Sequence, residues 1–155
     1  MDTDRLDHLK NFYDLIGNLE ERLGGARTLA ACNAKLEWPE RGVYFFMEDG
    51  EFRRDTGTGL RIVRVGTHAL KPGSGTNLWK RLSQHRGQVR SGGGNHRGSI
   101  FRLIVGTARI ARDGYDQGTW DNRNSTAPTA VRAGELALER EVSKTIGAAL
   151  RLWLL

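Results

Sequence analysis

Six side chains along this sequence have the chemistry of phosphodiester cleavage. Tyr44 and Arg64 lie on two short runs rich in Val, Ile, Phe and Tyr. Arg81 and His85 are four residues apart, His96 opens a basic loop, and Glu139 stands beside an apolar stripe. Together they offer a base, a fixed cation and a ligand for a hard cation. Arginine stays ionised and binds oxygens bidentately, so it can neutralise charge building on a phosphate. One carboxylate can hold Mg²⁺, which keeps several waters and takes further ligands from phosphate, and such a metal stabilises a leaving oxygen. Each residue also has a plainer reading. Tyr44 suits an ordinary strand, Arg81 and His85 suit a solvated helix face, and Glu139 could pair with Arg140 or Lys144. Glu135 competes with Glu139 from the same helix face.

The elements that must position these groups are legible in the periodicity. Residues 42–66 read as an antiparallel β-hairpin, two β-rich runs joined by a charged tip over Glu48–Gly59. Gly42 and Gly66 sit where a side chain would block close approach. Before the hairpin, apolar residues from Leu6 to Leu23 recur at three- and four-residue spacing, which predicts a helix over 3–23 capped by Asp2 or Thr3 and stopped by Gly24 and Gly25. Its acidic outer face places it away from nucleic acid, as a scaffold against the sheet.

After the hairpin, the Gly-rich stretch from His68 to Asn77 lacks the Gly-Lys-Ser/Thr ending of a nucleotide-binding loop, so nothing supports an ATPase. A short helix over Asn77–Arg86 puts Leu78 and Leu82 on one face and Arg81 and His85 on another. Residues 99–110 fit both periods, and helix is the better match. Residues 112–129 are rich in Asp, Gly, Asn, Ser and Thr and read as a surface loop. Residues 134–150 return to helical spacing through Leu138, Val142 and Ile146. The apolar run Leu150–Leu155 reads as a third strand, and its position suggests a C-terminal continuation or partner domain. The expected division is a helical extension over residues 1–40 packed on a core domain over residues 41–155.

Charge narrows the partner. The 155 residues carry a net charge of +6. Residues 1–40 hold five Lys and Arg against eight Asp and Glu, whereas residues 41–155 hold 19 against 10, so all the basic excess lies in the hairpin and the residues C-terminal to it. Such asymmetry suits a polyanion, because Lys and Arg displace condensed counterions from phosphates. Lys80, Arg90, Arg97 and Arg102 are the side chains expected to meet nucleic acid. The single cysteine, Cys32, forms no internal disulfide, the N-terminus is acidic rather than basic, and no apolar run spans a bilayer, so a cytoplasmic protein is expected.

The order Gly42-Val43-Tyr44, Val65-Gly66, Arg81 with His85, and Leu138-Glu139-Arg140 resembles the GIY-YIG endonuclease family over residues 42 to about 145. The resemblance implies a small α/β (α+β) domain, a three-stranded antiparallel sheet flanked by helices, that cleaves DNA with one divalent metal, Mg²⁺ or Mn²⁺. It makes Tyr44 the general-base candidate, Arg81 the catalytic arginine, Glu139 the metal ligand and His85 an acceptor for the tyrosine proton; His96 matches a histidine of some members. Arg64 stands where the second motif carries tyrosine. It cannot act as a base, but it could contact phosphate. That departure motivates an alternative, a catalytically impaired nucleic-acid-binding module. A protein-interaction domain docking through the acidic first helix is a third reading.

Overall fold

The computed structural model describes residues 3–69, 73, 75–124 and 127–154. Asp2 as a helix cap, Leu70–Pro72 and Ser74 of the Gly-rich stretch, and Leu155 lie outside the described residues.

Helix α1 spans Thr3–Arg22, strand β1 Arg27–Thr28, β2 Gly42–Phe52 and β3 Leu60–His68. Helices α2 (Leu78–Arg86), α3 (Ile100–Asp113) and α4 (Thr129–Ala149) come next, and β4 (Leu150–Leu154) closes the order. The strands form one antiparallel sheet in the order β1-β4-β2-β3. The sheet therefore has four strands rather than the three expected. The apolar run at Leu150 is used inside it as β4, which pairs with both β2 and β1.

Strand alternation explains why β2 is central. Tyr44 and Phe46 point to one face, where they join Leu78 and Leu82 of α2, Phe101 of α3, and Leu138, Val142 and Ile146 of α4. Phe45 and Met47 point to the other face and meet Ile16 of α1, with Phe12 and Leu19 beside it. Both faces are covered, so four consecutive residues, Tyr44 to Met47, are buried. Truncating a fully buried residue such as Leu138 to alanine should cost about 2–5 kcal/mol. The hairpin pairing extends further than the sequence indicates. β2 runs to Phe52, with irregular register after Phe46 and again after Met47, and these breaks let a charged segment continue as strand.

Local chemistry sets the helix ends. The Asn77 side chain caps α2 by accepting from the Lys80 amide at 3.2 Å. Ser99 caps α3, accepting from the Arg102 amide at 3.2 Å, and Gly114 ends it in the left-handed conformation. The ambiguous segment is thus a helix, with Phe101 and Gly106 inward and Ile100 and Ile104 exposed. Helix α4 begins five residues before the expected Gly134, because the Pro128 carbonyl accepts the Arg132 amide at 3.1 Å and opens the first turn. The preceding polar stretch is no plain surface loop: its Trp120 is buried at 1% exposure. Among the described residues no helix is long and apolar enough to cross a membrane.

Candidate active site

Tyr44 is placed by a vacancy. It pairs with Gly66 across β2 and β3, and a Cβ on Gly66 would stand 2.1 Å from the tyrosine Cζ. Only glycine lets the phenol lie across the neighbouring strand. The ring's hydroxyl reaches His85 on α2, with Oη 2.8 Å from Nε2. On the far side of the imidazole, Nδ1 is 2.7 Å from Ser99 Oγ, the same oxygen that caps α3. A chain therefore runs from the Arg102 amide through Ser99 and His85 to Tyr44. All three of these side chains are buried. Ser99 is not among the site residues the sequence singles out; a serine ahead of an apolar helical run signals a helix cap and nothing more.

The surroundings of His85 are cationic. Its pKa is pushed down to about 3, chiefly by burial and then by the charges of Arg81, Arg64 and Arg102, so the imidazole is neutral near pH 7. Arg64 lies with Cζ 4.5 Å above the Phe101 ring, and no hydrogen bond to a described residue holds its guanidinium. Among the described residues, Arg81 bonds only to the Gln84 side chain at 3.0 Å and the Gly98 carbonyl at 3.3 Å. Neither arginine is paired with a carboxylate among the described residues. Both can turn onto an anion.

Glu139 and His96 meet in a second cluster, joined to the first through Arg102. One Glu139 oxygen, Oε1, accepts from the His96 amide at 2.7 Å and from His96 Nδ1 at 3.0 Å. The other, Oε2, accepts from Arg102 Nε at 3.0 Å and from Arg102 Nη2. Arg102 also donates to the carbonyls of His85 and Glu139, each at 2.8 Å, and to Ser143 at 3.0 Å. Burial acts most strongly on the Glu139 carboxyl and raises its pKa, but the His96 hydrogen bond and the Arg102 charge and hydrogen bonds outweigh it, leaving the pKa below the usual carboxylate range. The His96 ring stacks on Trp120 at 3.9 Å between centroids. Trp120 in turn occupies the space left by Gly106, where a Cβ would be 2.0 Å from the indole.

Several expected roles change. Arg102 cannot meet nucleic acid here, since it is fully buried under Glu139. Arg97 is bound bidentately to Glu135 at 2.7 and 2.8 Å and leaves its side chain 2% exposed, which removes both residues from the candidate DNA contacts and metal ligands. Glu139 pairs with neither Arg140 nor Lys144; these bind the Ser91 carbonyl and Glu141. Lys80 and Arg90 are exposed as expected.

A family model of the GIY-YIG domain matches residues 3–155. The chain belongs to the GIY-YIG family. Comparisons with curated proteins and with solved structures find no match. Membership makes this GIY-YIG chain one of a family of nucleases, for which DNA is the substrate class and a divalent cation the general requirement. The cation finds a poor fit at Glu139. A carboxylate offers about four lone-pair positions, and here two donors occupy each oxygen. Nor do three or more His, Cys, Asp or Glu side chains among the described residues group as ligands.

Proposed function

We propose that this GIY-YIG chain is an endonuclease that hydrolyses DNA phosphodiesters, with Tyr44 and His85 as its proton-accepting pair and Arg64 and Arg81 as its phosphate clamp. The observation that carries this reading is the 2.8 Å contact between Tyr44 Oη and His85 Nε2, beside two arginines that pair with no carboxylate among the described residues. As water attacks phosphorus, its proton passes to Tyr44 Oη while the phenolic proton moves to His85 Nε2. A new P–O bond forms, the strand's P–O bond breaks, and the leaving alkoxide takes a proton from solvent.

An imidazole whose pKa lies near 3 is a poor proton acceptor at rest. Substrate changes that. Burial is the larger cause of the low pKa, and a phosphate seated on Arg64 and Arg81 offsets two of the three charges that add to it, so the base gains part of its strength when DNA is present. Arg64, tethered among the described residues by the face of Phe101, is the side chain suited to swing onto the phosphate and uncover Tyr44. No step is assigned to Mg²⁺ or Mn²⁺, because Glu139 as held has no vacant oxygen position. A plasmid-nicking assay tests the reading, run with Mg²⁺, with Mn²⁺ and with chelator. Nicking by the parent chain and its loss in Tyr44→Phe and Arg81→Ala are expected; cleavage that survives both substitutions would remove these residues from the reaction.

A further inference from the structure

A second feature lies at the start of α2, away from Tyr44. The rings of Trp38 and Trp79 stack at 5.0 Å with an interplanar angle of 25°, and the Arg86 guanidinium lies 4.7 Å from the Trp79 centroid. Both rings are pinned. Trp38 Nε1 donates to the Asn33 carbonyl at 2.8 Å, Arg86 Nη1 donates to the Cys32 carbonyl at 2.6 Å, and the Pro39 carbonyl accepts the Leu78 amide at 3.0 Å. Trp38, half-buried, opens onto a cavity of about 520 Å³ lined also by Glu40, Gly75, Thr76, Asn77 and Lys80. One wall is fixed by His68, whose Nε2 is 2.9 Å from Thr76 Oγ1.

We infer that this cavity takes an unpaired nucleobase of the DNA substrate, stacked on Trp38. The inference rests on the cleavage reading above and specifies its substrate: DNA with an unpaired nucleotide near the cut. Three observations support it. The cavity is bounded by an aromatic side chain already held rigid by its neighbours, and aromatic side chains are what single-stranded nucleic acid stacks on. Neither the Lys80 ammonium nor the Glu40 carboxylate has an ion-pair partner among the described residues, although each lines the cavity. The cation can meet the nucleotide's phosphate, and the carboxylate can accept from a base amino group. Finally, Lys80 precedes Arg81 in α2, so the same helix carries a lining residue of this cavity and a residue of the proposed phosphate clamp.

The competing reading is that the two tryptophans merely finish the core, which both rings touch. Binding separates the two. In a Tyr44→Phe background, anisotropy is measured with a labelled blunt duplex and with the same duplex carrying a short unpaired overhang. The parent should prefer the overhang, and Trp38→Ala should weaken overhang binding by roughly 5- to 150-fold, the worth of one stacked base. Trp38→Phe, which keeps a ring, should retain most of the preference. Should Trp38→Ala fail to fold, tryptophan emission decides: unpaired DNA should quench the parent and quench Trp38→Phe much less. Equal binding of overhang and blunt DNA in the Tyr44→Phe background, alongside duplex nicking by the chain with Tyr44 intact, would overturn the cavity assignment alone. Quenching and overhang preference in a chain that cuts nothing would sustain the cavity and remove the cleavage reading.

Discussion

Tyr44 and Gly66 are cross-strand partners, and the tyrosine ring fills the space where a side chain on Gly66 would begin, 2.1 Å from Cζ. The contact turns one missing methyl group into a positional constraint on the proposed base. Gly66→Ala should push the ring off His85. We expect a stability loss of about 1–3 kcal/mol from overpacking and a fall in nicking as large as that of removing the hydroxyl. Urea unfolding and a nicking assay on the same preparation check both; normal activity in a folded Gly66→Ala chain would show that the ring position is immaterial.

Removing only the phenolic oxygen isolates its chemistry. Tyr44→Phe keeps the ring packed against Phe46, 5.5 Å between centroids. Nicking should drop by roughly 10²- to 10⁴-fold, the range for general acid–base groups. The lost hydrogen bond to buried His85 should cost about 1–3 kcal/mol, measurable by chemical denaturation.

His85 makes stability depend on pH. Its folded pKa, about 3, lies below the ordinary 6.5, so between those values the unfolded chain binds a proton that the folded chain refuses. Stability is therefore full above about pH 6.5 and falls as the pH drops towards 3, by at most about 1.4 kcal/mol per pH unit from this group. The lowered Glu139 pKa adds a further loss below its ordinary value of 4.5. Urea midpoints at pH 7, 6 and 5 should decline for the parent and stay nearly level for His85→Gln. A flat parent profile would show that the imidazole is not held neutral.

The Arg102–Glu139 pair should behave as a strut. Breaking a buried ion pair from one side typically costs about 3–5 kcal/mol, so Glu139→Gln and Arg102→Met should each lower the melting temperature whether Mn²⁺ or chelator is present. Direct Mn²⁺ titration should give the same weak response in parent and Glu139→Gln. Tight Mn²⁺ binding that vanishes in the variant would show that the carboxylate leaves Arg102 to serve as a ligand.

Arg81 should act on DNA and hardly at all on folding. Among the described residues its side chain bonds only to Gln84 and Gly98, so Arg81→Ala should change stability by no more than about 0.5 kcal/mol. The slope of log affinity against log salt should fall by about 0.9, one phosphate contact. Titrations of duplex DNA at several salt concentrations measure it, and an unchanged slope would take Arg81 out of the interface.

The sequence carried the parts of this fold that depend on local period and the residue types at turns. The hairpin, α1 and α2 are legible from alternation and three- and four-residue spacing, and α3 as the better of the two periods its residues fit. The expected helix begins at Gly134, whereas α4 starts at Thr129 and carries that glycine inside it, at a typical cost of about 1 kcal/mol. Trp120 was hidden by its polar neighbours; its partner space is a glycine fourteen residues earlier on another element. Of the site, Tyr44 with His85 and His96 with Glu139 are each brought together. Arg97 and Arg102 read as DNA contacts because charge counts say nothing of an acid 37 or 38 residues away. The sequence pattern that foreshadows these pairs is two glutamates, 135 and 139, beside a buried stripe, which needs two cations to be tolerated there.

Ser99 serves the backbone of one helix and the imidazole of another with a single oxygen. Fraying of the first turn of α3 and release of His85 are consequently one event. The Arg102 amide, whose hydrogen that oxygen accepts, becomes a built-in reporter: its exchange with deuterated solvent clocks how often the proton-accepting pair comes apart.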